Sequence, residues 1–190
     1  MNVVVSEPFL CLAVCFEAVV HALSGISDLL SRYSFAERFG VVIPPGNQAL
    51  QGVISNVKYS ADCREWGIEA DPPGVNALFR AQGVALTAEF ESTAQHQDWS
   101  FEDQVTAFVQ TRMAVIFCLD YGRLYGKTEW AGQGHAVIGF SSVRRDNDVF
   151  VSIMDPGPDR AGLYDVGIHD LYVATGRRHG GFWSLSPITF

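Results

Sequence analysis

An α+β domain is the fold class that this sequence predicts, and three observations carry the prediction. One nearly continuous apolar stretch, Phe9 to Leu23, lies close to the N-terminus, between Pro8 and Ser24-Gly25. The second half of the chain changes texture: its apolar runs are short, β-branched or aromatic, and bounded by Gly, Pro, Asp or Asn, as strands are. Finally, 190 residues at 48% hydrophobic and 18% charged suit one domain over 1–190 with a sizeable core. Helices first and an antiparallel sheet afterwards is an α+β order. A helix that is apolar on most sides belongs inside such a domain, so the N-terminal helix is expected to be buried on the C-terminal sheet.

The elements follow in order. Val3-Val4-Val5 reads as a short strand or an extended lead-in, and Ser6 with Pro8 as a helix start. The first helix runs from Phe9 to Leu23 and stops at Ser24-Gly25; Ile26 to Phe39 reads as a second, stopped by Gly40. Ile43-Pro44-Pro45-Gly46 is a turn, Gln48 to Ser60 is ambiguous, and Asp71-Pro72-Pro73-Gly74 is another turn before a short helix over 75–81. Val84 to Phe90 alternates as a strand. Phe101 to Thr111 reads as a helix with Ser100 as N-cap. Strands are expected at Ala114 to Leu119, Ala136 to Phe140, Asp148 to Met154 and Leu163 to Val166.

Charge and cysteine content exclude several functions. Thirteen Lys plus Arg against 21 Asp plus Glu give a formal net charge of −8, and the longest basic runs are the pairs Arg144-Arg145 and Arg177-Arg178. Without concentrated positive charge, nucleic acid is excluded as a partner. The four cysteines, at 11, 15, 63 and 118, form no CxxC pair and are too scattered for a disulfide scaffold, which suits a reducing compartment. No positive charge precedes the apolar stretch, and Glu17 and His21 interrupt it. It reads as neither signal peptide nor membrane span, so a cytoplasmic protein with no membrane partner is expected.

A thiol nucleophile needs a device that favours its thiolate, because the ordinary Cys pKa leaves little of it at neutral pH. A helix N-terminus and a neighbouring His both do so, and the helix start also offers unpaired N–H groups to an oxyanion. Cys11 and Cys15 both lie near the start of the first helix, four residues apart and so on one face. His135 begins a predicted strand, and the next predicted strand delivers Asp155 at its end. If the two form an antiparallel hairpin across the Ser141–Asp148 loop, His135 and Asp155 stand side by side at one edge of the sheet.

These residues also carry a resemblance. Cys11-x-x-x-Cys15 in an apolar helix, Gly25-Ile26-Ser27-Asp28-Leu29 after it, Gly134-His135-Ala136-Val137-Ile138-Gly139-Phe140, and a strand ending Asp155-Pro156 resemble papain-like cysteine peptidases. The nearest in kind are the bacteriocin leader-processing peptidases. Ala114-Val115-Ile116-Phe117-Cys118-Leu119-Asp120-Tyr121-Gly122-Arg123-Leu124 also resembles the butirosin-type aminoglycoside acyltransferases, which share the fold but move an acyl group from a carrier protein. The resemblance implies a papain-like fold and a Cys11-His135-Asp155 triad, with Cys15 as the alternative nucleophile; its spacing to the glycine that ends the helix favours Cys11. It implies no organic cofactor and no metal. The implied substrate is a peptide, amide or thioester, in one branch presented by a carrier protein, and the implied reactions are hydrolysis, acyl transfer or cyclisation.

The chain departs from the peptidases at two positions: Leu12 follows the nucleophile in place of Gly, and Val5 stands where they place an oxyanion-binding Gln. Ser6 and Glu7 lie close by, and an anionic Glu would oppose an oxyanion. One missing oxyanion donor costs about 2.7–4 kcal/mol of transition-state stabilisation, a loss that a thioester donor tolerates better than an amide. A binding protein on a degenerate scaffold of the same fold is the rival from another class.

The remaining candidates read more plainly. Cys63 could be an exposed thiol and Cys118 a core residue of its strand. Glu17 and His21 read as a helix-surface pair or a buried polar contact, His96 as exposed in a polar loop, His169 with Asp170 as a solvated loop or a helix start, and His179 as part of a Gly-rich tail. Trp66, Trp99, Trp130 and Trp183 all sit beside turn residues, as pocket rims or loop anchors do. Gly122 to Gly134 reads as a mobile flap leading into His135. Phe182-Trp183-Ser184-Leu185 is expected in the core or on a partner.

Overall fold

The structure, a computed structural model, describes residues 3–111, 113–176 and 180–188; the Arg177-Arg178 pair and His179 lie outside them. Among the described residues there are six α-helices: α1 (Cys11–Ser24), α2 (Arg32–Phe39), α3 (Pro72–Ala81), α4 (Asp98–Gln110), α5 (Tyr121–Tyr125) and α6 (Ile168–Thr175). The strands are β1 (Val41–Ile43), β2 (Val57–Tyr59), β3 (Leu86–Ser92), β4 (Ala114–Asp120), β5 (Gly134–Arg145), β6 (Asp148–Asp155), β7 (Gly162–Gly167) and β8 (Gly181–Pro187). β1 and β2 form a small parallel pair, and the other six make one antiparallel sheet in the order β3-β8-β4-β5-β6-β7. This is a mixed α+β fold.

Two apolar clusters cover the two faces of the sheet. On one face, α1, α2 and α3 press Phe16, Phe35 and Phe79 onto Ile116, Ile138 and Trp183. On the other, α4 and α6 press Phe101, Val105 and Leu171 onto Val115, Phe117, Val137 and Phe182. A third cluster joins Leu10 and Val14 of the first helix region to Val41 and Ile43 of β1. The alternation along β4 serves both faces, so its side chains are almost all buried.

Helix α1 starts two residues later than the apolar run does. Leu10 N–H donates to the Glu7 carbonyl at 3.2 Å, and Phe9 takes a left-handed φ of 70°, so the chain turns sharply before Cys11. The segment before it is extended and pairs with no strand; it is tied down by Ser6 N–H donating to the Pro156 carbonyl at 2.7 Å. At the other end Gly25 takes the left-handed conformation that closes the helix.

Four boundaries differ from the sequence reading, each for a local reason. Only 32–39 of the expected second helix is helical, because Asp28 turns left-handed at φ 63° and Ser31 caps a later start by accepting Tyr33 N–H. Asp71-Pro72-Pro73-Gly74 is no free turn but the first turn of α3, with Asp71 accepting Gly74 N–H at 2.8 Å and prolines where no N–H is needed. Ser100 lies three residues inside α4 and closes its start by accepting Gln97 N–H at 2.9 Å. The β5–β6 hairpin is tighter than expected, its strands running to Arg145 and from Asp148, with Asp146 at φ 54° in the turn.

One strand was not foreseen. The C-terminal apolar segment, expected in the core or on a partner, is β8, which lies between β3 and β4 in the sheet and buries Trp183 at 2% exposure. The stretch after β7, read as a loop or a helix start, is the start of α6. Among the described residues no helix is long and apolar enough to cross a membrane.

Trp183 meets Phe16 of α1 and Phe90 of β3 at ring-centroid distances of 5.3 and 5.1 Å, locking the last strand to the first helix. Trp183→Ala is therefore expected to destabilise the fold by about 3–5 kcal/mol, read as a fall in the urea midpoint. A loss below about 1 kcal/mol would place Trp183 outside the packed core.

Candidate active site

Three elements converge at one end of the sheet. Cys11 is the first residue of α1, His135 the second residue of β5, and Asp155 the last residue of β6. Because α1 packs across β4 and β5, its first turn comes to rest over the start of β5. The antiparallel pairing of Ile138 with Met154 then carries Asp155 alongside His135. A bulge between Gly139 and Ser141 sets that register, and Gly139 is needed there because a Cβ would lie 2.6 Å from the Phe117 ring.

His135 Nε2 stands 2.7 Å from Asp155 Oδ1, with the two side chains 8% and 0% exposed. Asp155 Oδ1 also accepts Gly157 N–H at 2.7 Å, and Oδ2 accepts the Tyr125 hydroxyl. Cys11 lies against the same imidazole and interacts with it. Burial pushes the Cys11 thiol up, but the hydrogen bond and charge of His135, with the Ala136 and Leu12 backbone, hold it below its ordinary value. Burial works against the charged imidazole too, yet Asp155 and Cys11 push His135 up to about 10. Asp155 stays below its ordinary value despite burial, because His135, Tyr125 and Gly157 all donate to it.

The alternative thiol stands apart from this chemistry. Cys15 is one turn along the same face, 0% exposed, and burial together with the charges of Cys11, Cys118 and Asp155 pushes it well above its ordinary value. The structure thus brings Cys11, His135 and Asp155 together and leaves Cys15 in the core. Cys63 is half-buried, in a single 3-10 turn capped by Asp62, and Cys118 lies on β4 against the α1 side of the core.

No protein-family model and no curated protein matches this chain. Its chemistry therefore has to be read from the residues themselves.

The lead-in to Cys11 is held by a charge network. Glu7 accepts the Tyr33 hydroxyl at 2.6 Å and Arg32 Nη1 at 3.0 Å; Arg32 also binds Glu17 through Nε at 2.6 Å and the Val5 carbonyl at 3.1 Å. Glu17 is thus the partner of Arg32 rather than of His21. Burial would raise the Glu7 carboxyl, but Tyr33 and Arg32 hold it below its ordinary value. Its charge is engaged away from the sulfur. Val5 is exposed and has no polar side-chain atom, so its side chain offers an oxyanion no donor. The start of α1 supplies N–H groups that have no acceptor within the helix.

Several side chains at the site were invisible to sequence patterns. The Gly122–Gly134 segment, read as a flap, is folded as α5 and a 3-10 turn. Buried Asp120 caps α5 by accepting Arg123 N–H at 3.0 Å, and its second oxygen accepts Gly132 N–H at 2.8 Å. Gly122 fits only as glycine, since a Cβ would meet the Lys127 carbonyl oxygen at 2.5 Å. This clamp aims Tyr125 at Asp155 and sets Tyr121 edge-on to the His135 ring at 5.3 Å. Trp130, 46% exposed, forms the outer rim against Tyr121. Opposite, Trp66 packs on Phe9 and donates to the Ser60 carbonyl at 2.9 Å.

The remaining histidines take other partners. His96 is not exposed but packs against Phe101 and Phe182 and binds Glu91 at 3.1 Å, while His169 pairs with Asp98 at the surface at 2.7 Å. Trp99 is exposed on α4. Among the described residues no group of three or more His, Cys, Asp or Glu is placed to hold a metal ion.

Burial pushes the Tyr125 hydroxyl far up, and the Asp155 charge pushes it further, so it remains a neutral donor. Tyr125→Phe removes a hydrogen bond to a buried carboxylate and is expected to cost about 1.5–3 kcal/mol of stability. Urea unfolding measures it; an unchanged midpoint would mean that Asp155 is satisfied without Tyr125.

Proposed function

We propose that this chain is a thiol-dependent acyl-transfer enzyme on a papain-like scaffold, with Cys11 as nucleophile, His135 as proton shuttle and Asp155 as the orienting acid. The observation that carries this reading is the contact of a thiol held low with an imidazole pushed up to about 10. Such a pair keeps the imidazole protonated at neutral pH and shifts the thiol towards its thiolate.

Cys11 Sγ would attack the acyl carbon, forming the C–S bond while the carbonyl electron pair moves onto oxygen. The N–H groups at the start of α1 are the nearest donors of fixed direction for that oxyanion. On collapse the leaving amine, alkoxide or thiolate departs with the proton of His135. A second nucleophile, water or an acceptor amine or hydroxyl, gives its proton to His135, attacks the thioester and releases Cys11. Asp155 remains ionised throughout and holds the ring in place.

Val5 favours a second, narrower form of this reading. With no side-chain donor at that position, an activated carrier-bound thioester suits the site better than an unactivated amide, as in an acyltransferase or cyclase.

The raised value of His135 contributes stability that is fully present below the ordinary imidazole value of 6.5 and is lost as pH rises through about 10. The lowered value of Cys11 contributes stability that is present above the ordinary thiol value of 9.0 and is lost as pH falls. The two trends oppose each other, so thiol reactivity is the cleaner signature.

Iodoacetamide is expected to alkylate Cys11 readily at about pH 6, where an ordinary thiol is about 0.1–1% thiolate. Asp155 and His135 support that behaviour, so His135→Ala should return the profile to the ordinary thiol range. Cys15 should stay unlabelled until the chain unfolds. With an S-acyl-N-acetylcysteamine thioester, the acyl mass should appear on the Cys11 peptide and vanish in Cys11→Ser. A wild-type profile of an ordinary thiol would sink the ion-pair reading. A reactive Cys11 that never carries an acyl group would leave the non-catalytic binding scaffold.

A further inference from the structure

We infer that Arg160 recognises an anionic group, a carboxylate or a phosphate, on the acyl substrate; this rests on Cys11 being the reacting atom, as proposed above. Arg160 follows the Asp155-Pro156-Gly157 turn and is pinned through its main chain, its N–H donating to the Gly157 carbonyl at 3.0 Å and its own carbonyl accepting the Tyr164 hydroxyl at 2.8 Å. Its guanidinium lies over the Tyr125 ring, 4.1 Å from the centroid, with Tyr164 at 5.8 Å. A stacked guanidinium keeps its N–H edge turned outward, in the fork that fits a carboxylate or phosphate.

That fork is unused. Arg32, Arg64, Arg123, Arg144 and Arg145 each meet a carboxylate. Among the described residues the Arg160 guanidinium makes no ion pair and no hydrogen bond; its side-chain contacts are the two tyrosine rings. Of the nearby acids, Asp155 is already committed to three donors, and Asp159 is exposed to solvent. In a chain with a net charge of −8, an unpaired cation on the tyrosine that holds Asp155 is the local exception.

Its position also faces the chemistry. Tyr125 connects it to Asp155, and its charge is felt at Tyr121, which stands edge-on to His135. To meet the guanidinium, a substrate joined to Cys11 would run past Tyr121 and the exposed Trp130 ring. A neutral substrate makes no use of it.

Alkylation of Cys11 by charged reagents of graded length tests this. The probes are iodoacetyl-glycine, -diglycine and -triglycine, each against its neutral amide, together with iodoacetyl-phosphoethanolamine. For at least one spacer the anionic-to-neutral rate ratio is expected to exceed one, and in Arg160→Gln to fall by about tenfold, the effect of a charge-assisted hydrogen bond. Arg160→Lys should restore part of it, and high salt should reduce it. A preference for the phosphate or for a carboxylate probe identifies which anion fits. The same ratio in wild type and Arg160→Gln overturns the inference, including the case where both rates fall together because Arg160 merely supports Tyr125. A Cys11 that no neutral probe alkylates overturns the acyl-transfer reading instead.

Discussion

Burial of α1 against the sheet is the constraint from which the site follows. Leu12 to Phe16, Val19 and Val20 are all buried, and each large apolar side chain contributes about 1.5–3 kcal/mol relative to exposure. A helix held this way cannot slip by one residue, because that would turn its apolar face by about 100°. The position of Cys11 is therefore fixed by residues up to three turns away that have no chemistry of their own. Phe16 is the clearest case, stacked on Phe35 and edge-on to both Phe79 and Trp183. The cost of this arrangement is local: Phe9 adopts a left-handed backbone so that the chain can reach Cys11 from the far side of the sheet end.

A polar cluster inside an apolar setting survives only if every charge is answered. Asp155 meets that condition with donors from three different elements, α5, β5 and the turn after β6. Asp120 meets it one strand away by capping α5 and holding Gly132. The two carboxylates are linked through α5, since the helix that Asp120 starts carries the tyrosine that Asp155 accepts. The orientation of the imidazole thus depends on a buried acid that has no contact with it. Glu7 follows the same rule at the other side, its charge answered by Arg32 and Tyr33.

The sequence made the meeting of Cys11, His135 and Asp155 legible because each sits where a local pattern is strong. A long apolar run flags α1, and two β-branched strands separated by a polar turn flag the hairpin that joins His135 to Asp155. The α+β order of elements was legible for the same reason. What escaped is structure specified by distant partners. Gly181 to Pro187 has no alternation to mark it, because β8 lies inside the sheet with both faces covered, and only pairing with β3 and β4 makes it a strand. Tyr121 to Tyr125 looked like a Gly-flanked loop because its helix exists through the Asp120 cap and the Gly132 contact, neither visible as a periodicity. Ser100 misled for a related reason: its hydroxyl closes the helix from inside the first turn instead of preceding it. Tyr125 and Arg160 carried no signal at all, since only the folded turn after β6 brings them together.

Cys11 and Cys15 show how sharply depth along one helix sorts identical side chains. They share a face, and one helical turn, about 5.4 Å, separates them. At the first position the thiol meets the His135 ring and the backbone of Leu12 and Ala136, which together outweigh its desolvation. At the second the same apolar packing surrounds the sulfur, and the charges of Cys11, Cys118 and Asp155 add to the effect of burial. Burial and charge then act in the same direction, and the thiol stays protonated. The helix that sets Cys11 against His135 makes Cys15 a hydrophobe, and exchanging their places would require moving His135 by a turn, which the register of β5 against β4 and β6 forbids.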